Sequence, residues 1–354
     1  MALTPTIVRF NPTDPNLRAI REVAQSVRAG KIVAFPTETV YGIGVPASRR
    51  DLLERLYQIK GRDPSKPLAY HIGDWDQLGL LPLVRSPAFR YLSKKFWPGP
   101  LTLVMQRTQG EKIGIRYPRN IATCTLIMAV GEPLIATSAN RSGEASPKTA
   151  EEAIQALGDQ IDYIIDAGPC ELGVDSTVVD VSDSSSPVIL REGAEVVAVQ
   201  DAIEDIRQGL IPRKRILFVC TGNSCRTPMA VGLFQKELKR RRLEREIEVT
   251  SCGILARDGG PATSEAIYVM KNREIDISGH RTRSCRREDV LEADLIVAMS
   301  QDHYDFLVGL VPGVKEKIKV LNITDPIGMG IPAYEEVVKT LEEKLKNEWE
   351  SIVQ

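Results

Sequence analysis

The chain is poor in cysteine, histidine and net charge, and it has no long apolar run. Six cysteines in 354 residues are too few for a disulfide framework. With no export signal they read as reduced thiols. The three histidines, His71, His280 and His303, have no metal-ligand spacing and read as surface or capping residues. A net charge of −1 excludes a global pull towards nucleic acid or membrane and leaves room only for a local basic groove. No stretch approaches the roughly 20 apolar residues of a membrane span. The N-terminal MALTPTIVRFNPTD has no apolar core of a secretory signal. The expectation is a cytoplasmic protein with no membrane partner. There is no internal repeat, and Ser182–Pro187 (SDSSSP) reads as a solvated hairpin loop. The composition is globular, and the length predicts two domains.

The densest chemistry lies in RILFVCTGNSCRTP, residues 215–228. Ile216, Leu217, Phe218 and Val219 read as a buried strand. Cys220 follows, then five residues, Arg226, Thr227 and Pro228, and then a helical run with Pro228 read as its first residue. A cysteine at a strand tip, on a loop entering a helix N-terminus, sits where backbone N–H groups and the helix dipole favour an anion. The same field favours thiolate at Cys220 against a free value of about 8.5. Arg226 offers a fork for two phosphate oxygens. Gly222 and Asn223 tolerate left-handed backbone. Downstream, residues 246–251, 294–298 and 317–321 read as strands, and 262–272, 286–292, 301–309 and 334–352 as helices. This alternation predicts a doubly wound parallel sheet, with ligands at the carboxyl ends of its strands. Asp325-Pro326 after the last strand is either a turn starter or a general acid.

The string C-T-G-N-S-C-R-T-P, with Ser251-Cys252-Gly253, Ile277–Arg283 and Asp325-Pro326, resembles the low-molecular-weight protein tyrosine phosphatase family. The resemblance implies a protein phosphatase acting through a cysteinyl-phosphate. Cys220 would be the nucleophile, Arg226 the phosphate grip and Asp325 the acid and then the base. Thr221, Gly222, Asn223, Ser224, Cys225 and Thr227 would complete the phosphate loop, with Thr227 bonded to Cys220 and Asn223 fixing the loop. Cys225 is either a trap for oxidised Cys220 or a small core residue. Ser224 stands where tyrosine-specific members carry a bulky aliphatic residue. A small hydroxyl there, with the tail Asp325-Pro-Ile-Gly-Met-Gly leading to Tyr334, resembles the bacterial protein-arginine phosphatases, although that branch has threonine and an aromatic where this chain has Ser224 and Ile327. The substrates implied are phosphoarginine or phosphotyrosine proteins. An arsenate reductase is the alternative. It needs a pair of relay cysteines, and only Cys252 and Cys285 remain, widely separated in sequence.

In the first half, residues 17–29 read as a helix ending at Gly30, 31–35 as a strand and Pro36–Gly44 as a hydroxyl-rich turn. A helix over 51–59 runs into Lys60-Gly-Arg-Asp-Pro-Ser-Lys-Pro67, whose cations sit on a segment that Gly and Pro keep out of a helix and suit a polyphosphate. Residues 199–208 read as a charged helix and 211–214 as a basic hinge. The boundary follows, with domains 1–210 and 211–354.

Lys60/Arg62/Lys66/Pro67 and Ser138/Asn140, with Phe96–Thr102, Ile115–Pro118, Gly173–Val179 and Leu190–Gly193, resemble in order and spacing the YrdC family of threonylcarbamoyl-AMP synthases. The fold class implied is α/β, a mixed twisted sheet followed by the parallel-sheet phosphatase domain. The activity implied is condensation of ATP, bicarbonate and L-threonine to threonylcarbamoyladenylate and pyrophosphate, with Mg²⁺ accompanying ATP. A separate threonylcarbamoyl transferase complex then modifies tRNA, which is itself a further partner. The resemblance assigns Lys60, Arg62, Lys66, Asn140, Ser146 and Arg191 to ATP, and Thr37, Arg116, Ser138 and Ser176 to threonine. Longer relatives carry a different C-terminal domain that would cover the nucleotide, and R-E-G stands where a proline is often found. The rival readings are a nucleotide- or RNA-binding regulatory module without turnover, and a carbamoyl-phosphate-dependent O-carbamoylation.

Overall fold

The computed structural model describes all residues except 1–3, 14, 109, 184 and 354, so Ser184 of the expected hairpin loop lies outside the described residues. The chain forms two compact units, Met1–Gln208 and Gly209–Gln354.

The strands of the first unit are β1 (Thr6–Arg9), β2 (Val33–Phe35), β3 (Gly42–Pro46), β4 (Ala69–His71), β5 (Leu101–Gln106), β6 (Lys112–Arg116), β7 (Leu134–Ser138), β8 (Tyr163–Asp166), β9 (Thr177–Asp180) and β10 (Val188–Arg191). They form one sheet in the order β1-β8-β2-β3-β7-β4-β6-β5-β9-β10. It is mixed: β4 and β6 run parallel, while β7 runs antiparallel to both β3 and β4. The helices are α1 (Leu17–Arg28), α2 (Arg50–Lys60), α3 (Trp75–Leu78), α4 (Pro87–Phe96), α5 (Ile121–Val130), α6 (Ala150–Leu157) and α7 (Val196–Arg207).

Strand periodicity sends alternate β2 residues to opposite cores. Val33 and Phe35 pack under α1 and α5 with Ile20, Val23, Leu126 and Ile127. Ala34 packs under α2 and α6 with Leu52, Leu56, Ala153 and Leu157. The apolar positions of α1 fall at Ile20, Val23, Ala24 and Val27, one helical stripe, and the Asn16 side chain caps its first turn.

Three boundaries differ from the sequence reading. The expected turn over 36–44 ends in β3, whose glycines lie flat under the Phe35 ring; a Cβ on Gly44 would stand 3.1 Å from it. Such close approach explains glycine in a strand. Lys60 is the last residue of α2, not part of the following loop. Helix α7 begins at Val196, because Glu195 already turns the chain with φ 57°.

The second unit contains β11 (Lys214–Cys220), β12 (Ile247–Gly253), β13 (Leu295–Ala298) and β14 (Ile318–Val320), all parallel, in the order β12-β11-β13-β14. Around them lie α8 (Arg226–Arg241), α9 (Ser264–Lys271), α10 (Arg287–Glu292), α11 (Gln301–Leu310), α12 (Ile331–Asn347) and α13 (Trp349–Val353). One face is covered by α8, α9, α12 and α13, with Phe234, Val269, Leu341 and Trp349 in its core. Val290 of α10 and Leu307 of α11 belong to the core of the other face. The sheet is doubly wound, and strand order reverses beside β11, where such folds bind ligands. Cys220 is the last residue of β11, paired with Gly253. Helix α8 starts at Arg226, so Pro228 is its third residue and still within the turn whose N–H groups have no helical partner.

Candidate active sites

In the first unit a cleft of about 540 Å³ opens over β3, β4, β6 and β7. Thr37, Arg62, Lys66, Arg116, Ser138, Asp175, Ser176 and Arg191 line it. Four cations therefore face one carboxylate, Asp175, among the described lining residues.

Arg116, at the end of β6, is 5% exposed. Its Nη2 donates to Glu38 Oε1 and to Thr39 Oγ1, both at 2.8 Å. Its Nε is buried and has no hydrogen-bond partner in the structure. Glu38 is buried too, and its second oxygen accepts from the Arg119 amide at 3.0 Å. The neighbouring His71 is held neutral: burial first, then the Arg116 charge, lowers it to about 3. Glu38, Thr39, His71 and Asp175 went unassigned in the sequence, because an acid one residue from a threonine carries no spacing signature. Ser176 Oγ lies 2.9 Å from Thr102 Oγ1, and Arg191 Nη2 donates to the Ser176 carbonyl at 2.8 Å and to its Oγ at 3.0 Å. Thr37 Oγ1 closes its own turn, accepting from the Thr39 and Val40 amides and donating to the Val40 carbonyl. The Arg62 fork curls onto the Lys66 and Pro67 carbonyls and shapes the loop that presents exposed Lys66.

Three residues expected on ATP have their polar groups bonded within the protein. Lys60 is 2% exposed and donates to the Ser138 carbonyl (2.7 Å), Ser138 Oγ (3.2 Å) and Asn140 Oδ1 (2.8 Å). An ammonium has three protons, and all three are committed. Burial lowers Lys60 to about 8. Asn140 Nδ2 is bound to the Glu144 carbonyl at 2.6 Å, and Ser146 Oγ bonds the Asp175 carboxylate at 3.1 Å. None of the three lines the cleft. They brace its wall, because a lysine at the last turn of α2 points back under β7 rather than out along the loop.

In the second unit the segment 220–226 wraps around the Cys220 sulfur. The Asn223 amide donates to Sγ at 3.2 Å, and Thr227 Oγ1 lies 3.1 Å from it. Asn223 is fully buried at φ 54°, whereas Gly222 does not take the left-handed conformation expected of it. Asn223 Oδ1 accepts the Arg283 amide at 2.8 Å, which orients the side chain. Its Nδ2 then donates to Thr227 Oγ1 and Ser251 Oγ, both at 2.9 Å. Since Thr227 Oγ accepts from Asn223, its single proton is free for Cys220.

The expectation of a resting thiolate meets an opposing effect. Burial is the largest influence on Cys220 and pushes the thiol up; Thr227, Arg226 and the Asn223 amide pull it back down. The N-terminus of α8 adds positive potential on the same side.

Arg226 is 5% exposed, and its Nη2 donates to Thr221 Oγ1 at 2.9 Å and to Asp325 Oδ2 at 2.5 Å. Asp325 is partly exposed and is held against the loop by its ion pair with Arg226. Half-buried Ser224 lies at the loop edge, its carbonyl bonded to the Thr263 amide at 2.9 Å. Cys225 Sγ faces Tyr334 Oη at 3.2 Å and Thr263 Oγ1 at 3.6 Å.

The histidines depart from the surface role expected of them. His280 Nε2 lies 2.7 Å from the Asn223 carbonyl. His303, 1% exposed, spans Thr221 Oγ1 (3.0 Å) and Ser300 Oγ (2.8 Å). Burial, then Arg226, lowers His303 to about 4, so it is a neutral strut under the loop. Cys252 and Cys285, far apart in sequence, come together in one core cluster of this unit, with Cys285 packed against the group that holds Cys252.

Residues 25–193 match the Sua5, YciO and YrdC family model, described as telomere recombination, and residues 215–354 match that of low molecular weight phosphotyrosine protein phosphatases. Among curated relatives, the threonylcarbamoyl-AMP synthase of Pyrococcus abyssi is 37% identical over 198 residues, 53% of this chain and 58% of that protein. The threonylcarbamoyl-AMP synthase of Mus musculus is 36% identical over 211 residues, 55% of this chain and 73% of that protein. The chain spans little more than half the length of the first curated relatives it matches. Among solved structures, a low molecular weight protein tyrosine phosphatase from T. tengcongensis is 39% identical, covering 39% of this chain and 99% of that one with a TM-score of 0.37. The YwlE arginine phosphatase of Geobacillus stearothermophilus is 33% identical, covering 39% and 94%, with a TM-score of 0.35.

Proposed function

We propose two enzymatic activities for this chain, which belongs to the Sua5–YciO–YrdC threonylcarbamoyl-AMP synthase family in its N-terminal part and to the low molecular weight phosphotyrosine protein phosphatase family in its C-terminal part. The first unit joins ATP, bicarbonate and L-threonine into threonylcarbamoyladenylate and pyrophosphate. The observation that carries this reading is Arg116: a buried guanidinium with one nitrogen paired to Glu38 and its Nε unpartnered, in a cleft rimmed by Arg62, Lys66 and Arg191. Arg116 would take the threonine carboxylate as a charge-assisted pair. The rim cations would hold the triphosphate and stabilise departing pyrophosphate. Mg²⁺ enters with ATP as part of the substrate, with Asp175 the lining carboxylate able to meet it. The threonine amine and bicarbonate do the attacking, so the protein contributes position and charge. Product would pass in the cytoplasm to a threonylcarbamoyl transferase complex acting on tRNA. Pyrophosphate release that requires both threonine and bicarbonate tests the reading. Release without threonine, or with carbamoyl phosphate in place of bicarbonate, would replace it with the carbamoylation reading, and no release with the regulatory one.

The second unit hydrolyses a phosphate ester or phosphoramidate on protein. Cys220 Sγ attacks phosphorus in line as the bond to the leaving group breaks; Arg226 leaves Asp325 for the equatorial oxygens, and the freed Asp325, once it has taken up a proton from solvent, passes that proton to the leaving group. Asp325 then activates water against the cysteinyl-phosphate. The apolar side chains of Leu255 and Ile327, 75% and 60% exposed, are carried beside Thr221 and Asp325, which suits a peptide-borne phosphate. Ser224 favours phosphoarginine, because a small hydroxyl leaves room for a guanidinium and bonds it. The arsenate-reductase alternative needs a thiol relay to Cys220, whereas Cys225 faces Tyr334 and the other two cysteines of this unit pack in a different core cluster from Cys220. Phosphate release from matched phosphoarginine and phosphotyrosine peptides, with Cys220→Ser as blank, decides substrate and mechanism together.

A further inference from the structure

Cys252 is the penultimate residue of β12 and fully buried, whereas Cys285, in the loop before α10, is half-buried. Backbone bonds join the two segments: the Gly253 amide donates to the Arg283 carbonyl and the Cys285 amide to the Gly253 carbonyl, both at 2.9 Å. Gly253 and Ser284 thereby form a parallel bridge. The bridge puts the two cysteines on one face of the paired segments, where Cys285 packs against the core cluster that holds Cys252. Neither sulfur has a part in the phosphatase chemistry, but their chain neighbours do. Ser251 and Arg283 hold the Asn223 side chain from outside the loop and its helix. Asn223 in turn sets both donors to Cys220, its own amide and the Thr227 hydroxyl.

We propose that Cys252 and Cys285 are a reversible disulfide-forming site, closed by a hydroperoxide, and that closure disturbs Asn223 and slows the phosphatase. The half-buried Cys285 sulfur attacks a peroxide oxygen; the O–O bond breaks, Cys285 becomes a sulfenic acid and water leaves. The Cys252 sulfur then attacks the Cys285 sulfur. The S–S bond forms, the S–O bond breaks, and the hydroxyl leaves with the Cys252 proton as a second water. Two thiols lose two electrons, and one peroxide becomes two waters. A dithiol reductant reverses the bridge by exchange. A disulfide imposes its own Cα spacing and dihedral. The bridged strand residues on either side transmit that demand to Ser251 and Arg283.

The test treats the full chain carrying Cys220→Ser with hydrogen peroxide, blocks remaining thiols with N-ethylmaleimide and maps unreduced peptides by mass spectrometry. The same mapping on the unsubstituted chain with inorganic phosphate shielding Cys220 guards against a variant that fails to fold. A Cys252–Cys285 linked peptide that dithiothreitol abolishes is expected. Recovery of both cysteines alkylated, or of Cys285 only as sulfinic or sulfonic acid, overturns the proposal. This arm needs no turnover, so its outcome is separable from the phosphatase reading, on which the coupling rests. For the coupling, phosphate-shielded enzyme is oxidised, desalted and assayed on p-nitrophenyl phosphate. A loss of about tenfold or more, the scale of one misplaced hydrogen bond to a charged group, should be reversed by dithiothreitol and absent in Cys285→Ser. Equal loss in both proteins refutes the coupling.

Discussion

Replacing Thr227 with valine should make Cys220 a weaker acid and a slower nucleophile while preserving shape. The side chain at 227 is fully buried, and its hydroxyl is held by Asn223 so that its proton serves Cys220. Burial already pushes the Cys220 thiol up, and the Thr227 hydroxyl is the first of the influences that bring it down. A hydrogen bond to a charged group contributes about 1.5–3 kcal/mol. At 1.36 kcal/mol per tenfold, the thiolate fraction below its titration midpoint should fall roughly ten- to hundredfold. Sulfur is a soft acceptor, which favours the lower end. The direct assay is the rate of Cys220 alkylation by iodoacetamide between about pH 5 and 9, because it reads thiolate without reference to any leaving group. Thr227→Val should shift that profile to higher pH, and kcat/KM for p-nitrophenyl phosphate should fall in parallel. Thr227→Ser should keep the unsubstituted profile. A valine variant with an unchanged alkylation profile would refute the reasoning and leave Arg226 and the helix terminus as what stabilises the thiolate.

Arg116→Lys keeps the charge but cannot span Glu38 and a carboxylate at once, so KM for threonine should rise about tenfold or more with KM for ATP little changed, in a pyrophosphate-release assay. Lys60→Met strands three acceptors, of which Asn140 Oδ1 is fully buried, and should cost about 2–4 kcal/mol, seen as a lower Tm of the first unit without any nucleotide present; an unchanged Tm would return Lys60 to the phosphates. His303 titrates near 4 in the fold against 6.5 ordinarily, so the unfolded chain binds the extra proton between those values. The stability it contributes is complete above pH 6.5 and lost as pH falls through about 4, at most about 3 kcal/mol. Urea midpoints between pH 4 and 7 should therefore fall less steeply for His303→Asn than for the unsubstituted chain. Ser224→Ile should lower kcat/KM for phosphoarginine peptides about tenfold relative to phosphotyrosine peptides, checked by phosphate release.

Much of the frame was legible in the chain. The apolar run before Cys220 and the alternation after it predicted a parallel doubly wound sheet with Cys220 at a strand tip, and that sheet is present. Helix α1 was legible because its stripe repeats at helical spacing and Gly30 ends it. Boundaries failed where local backbone overrode composition. Glu195 starts α7 early through a left-handed turn, and Glu348 breaks the C-terminal helix into α12 and α13. The second unit's loop was readable residue by residue because its chemistry is local in sequence. The first unit's cleft was readable only as a set of types, since its residues come from β6, β7, β10 and the loops between distant strands.

What the sequence determined by itself was the identity and order of the candidate groups: a cysteine, an arginine and an aspartate in one half, and cations, hydroxyls and an asparagine in the other. Tertiary structure alone decided which of them line the cleft and which are bonded within the protein. Lys60 and Asn140 are buried because they bond each other and neighbouring groups, Ser138 and the Glu144 carbonyl; burying them unpaired would cost more than the exposure they give up. Glu38 becomes the counter-charge of Arg116, and His303 a neutral strut, because folding brings distant strands and helices to contact in a setting too dry for unpaired charge. The meeting of Cys252 with Cys285 has the same origin. Pairing across a sheet edge depends on strand register, and register is set by the packing of the whole core.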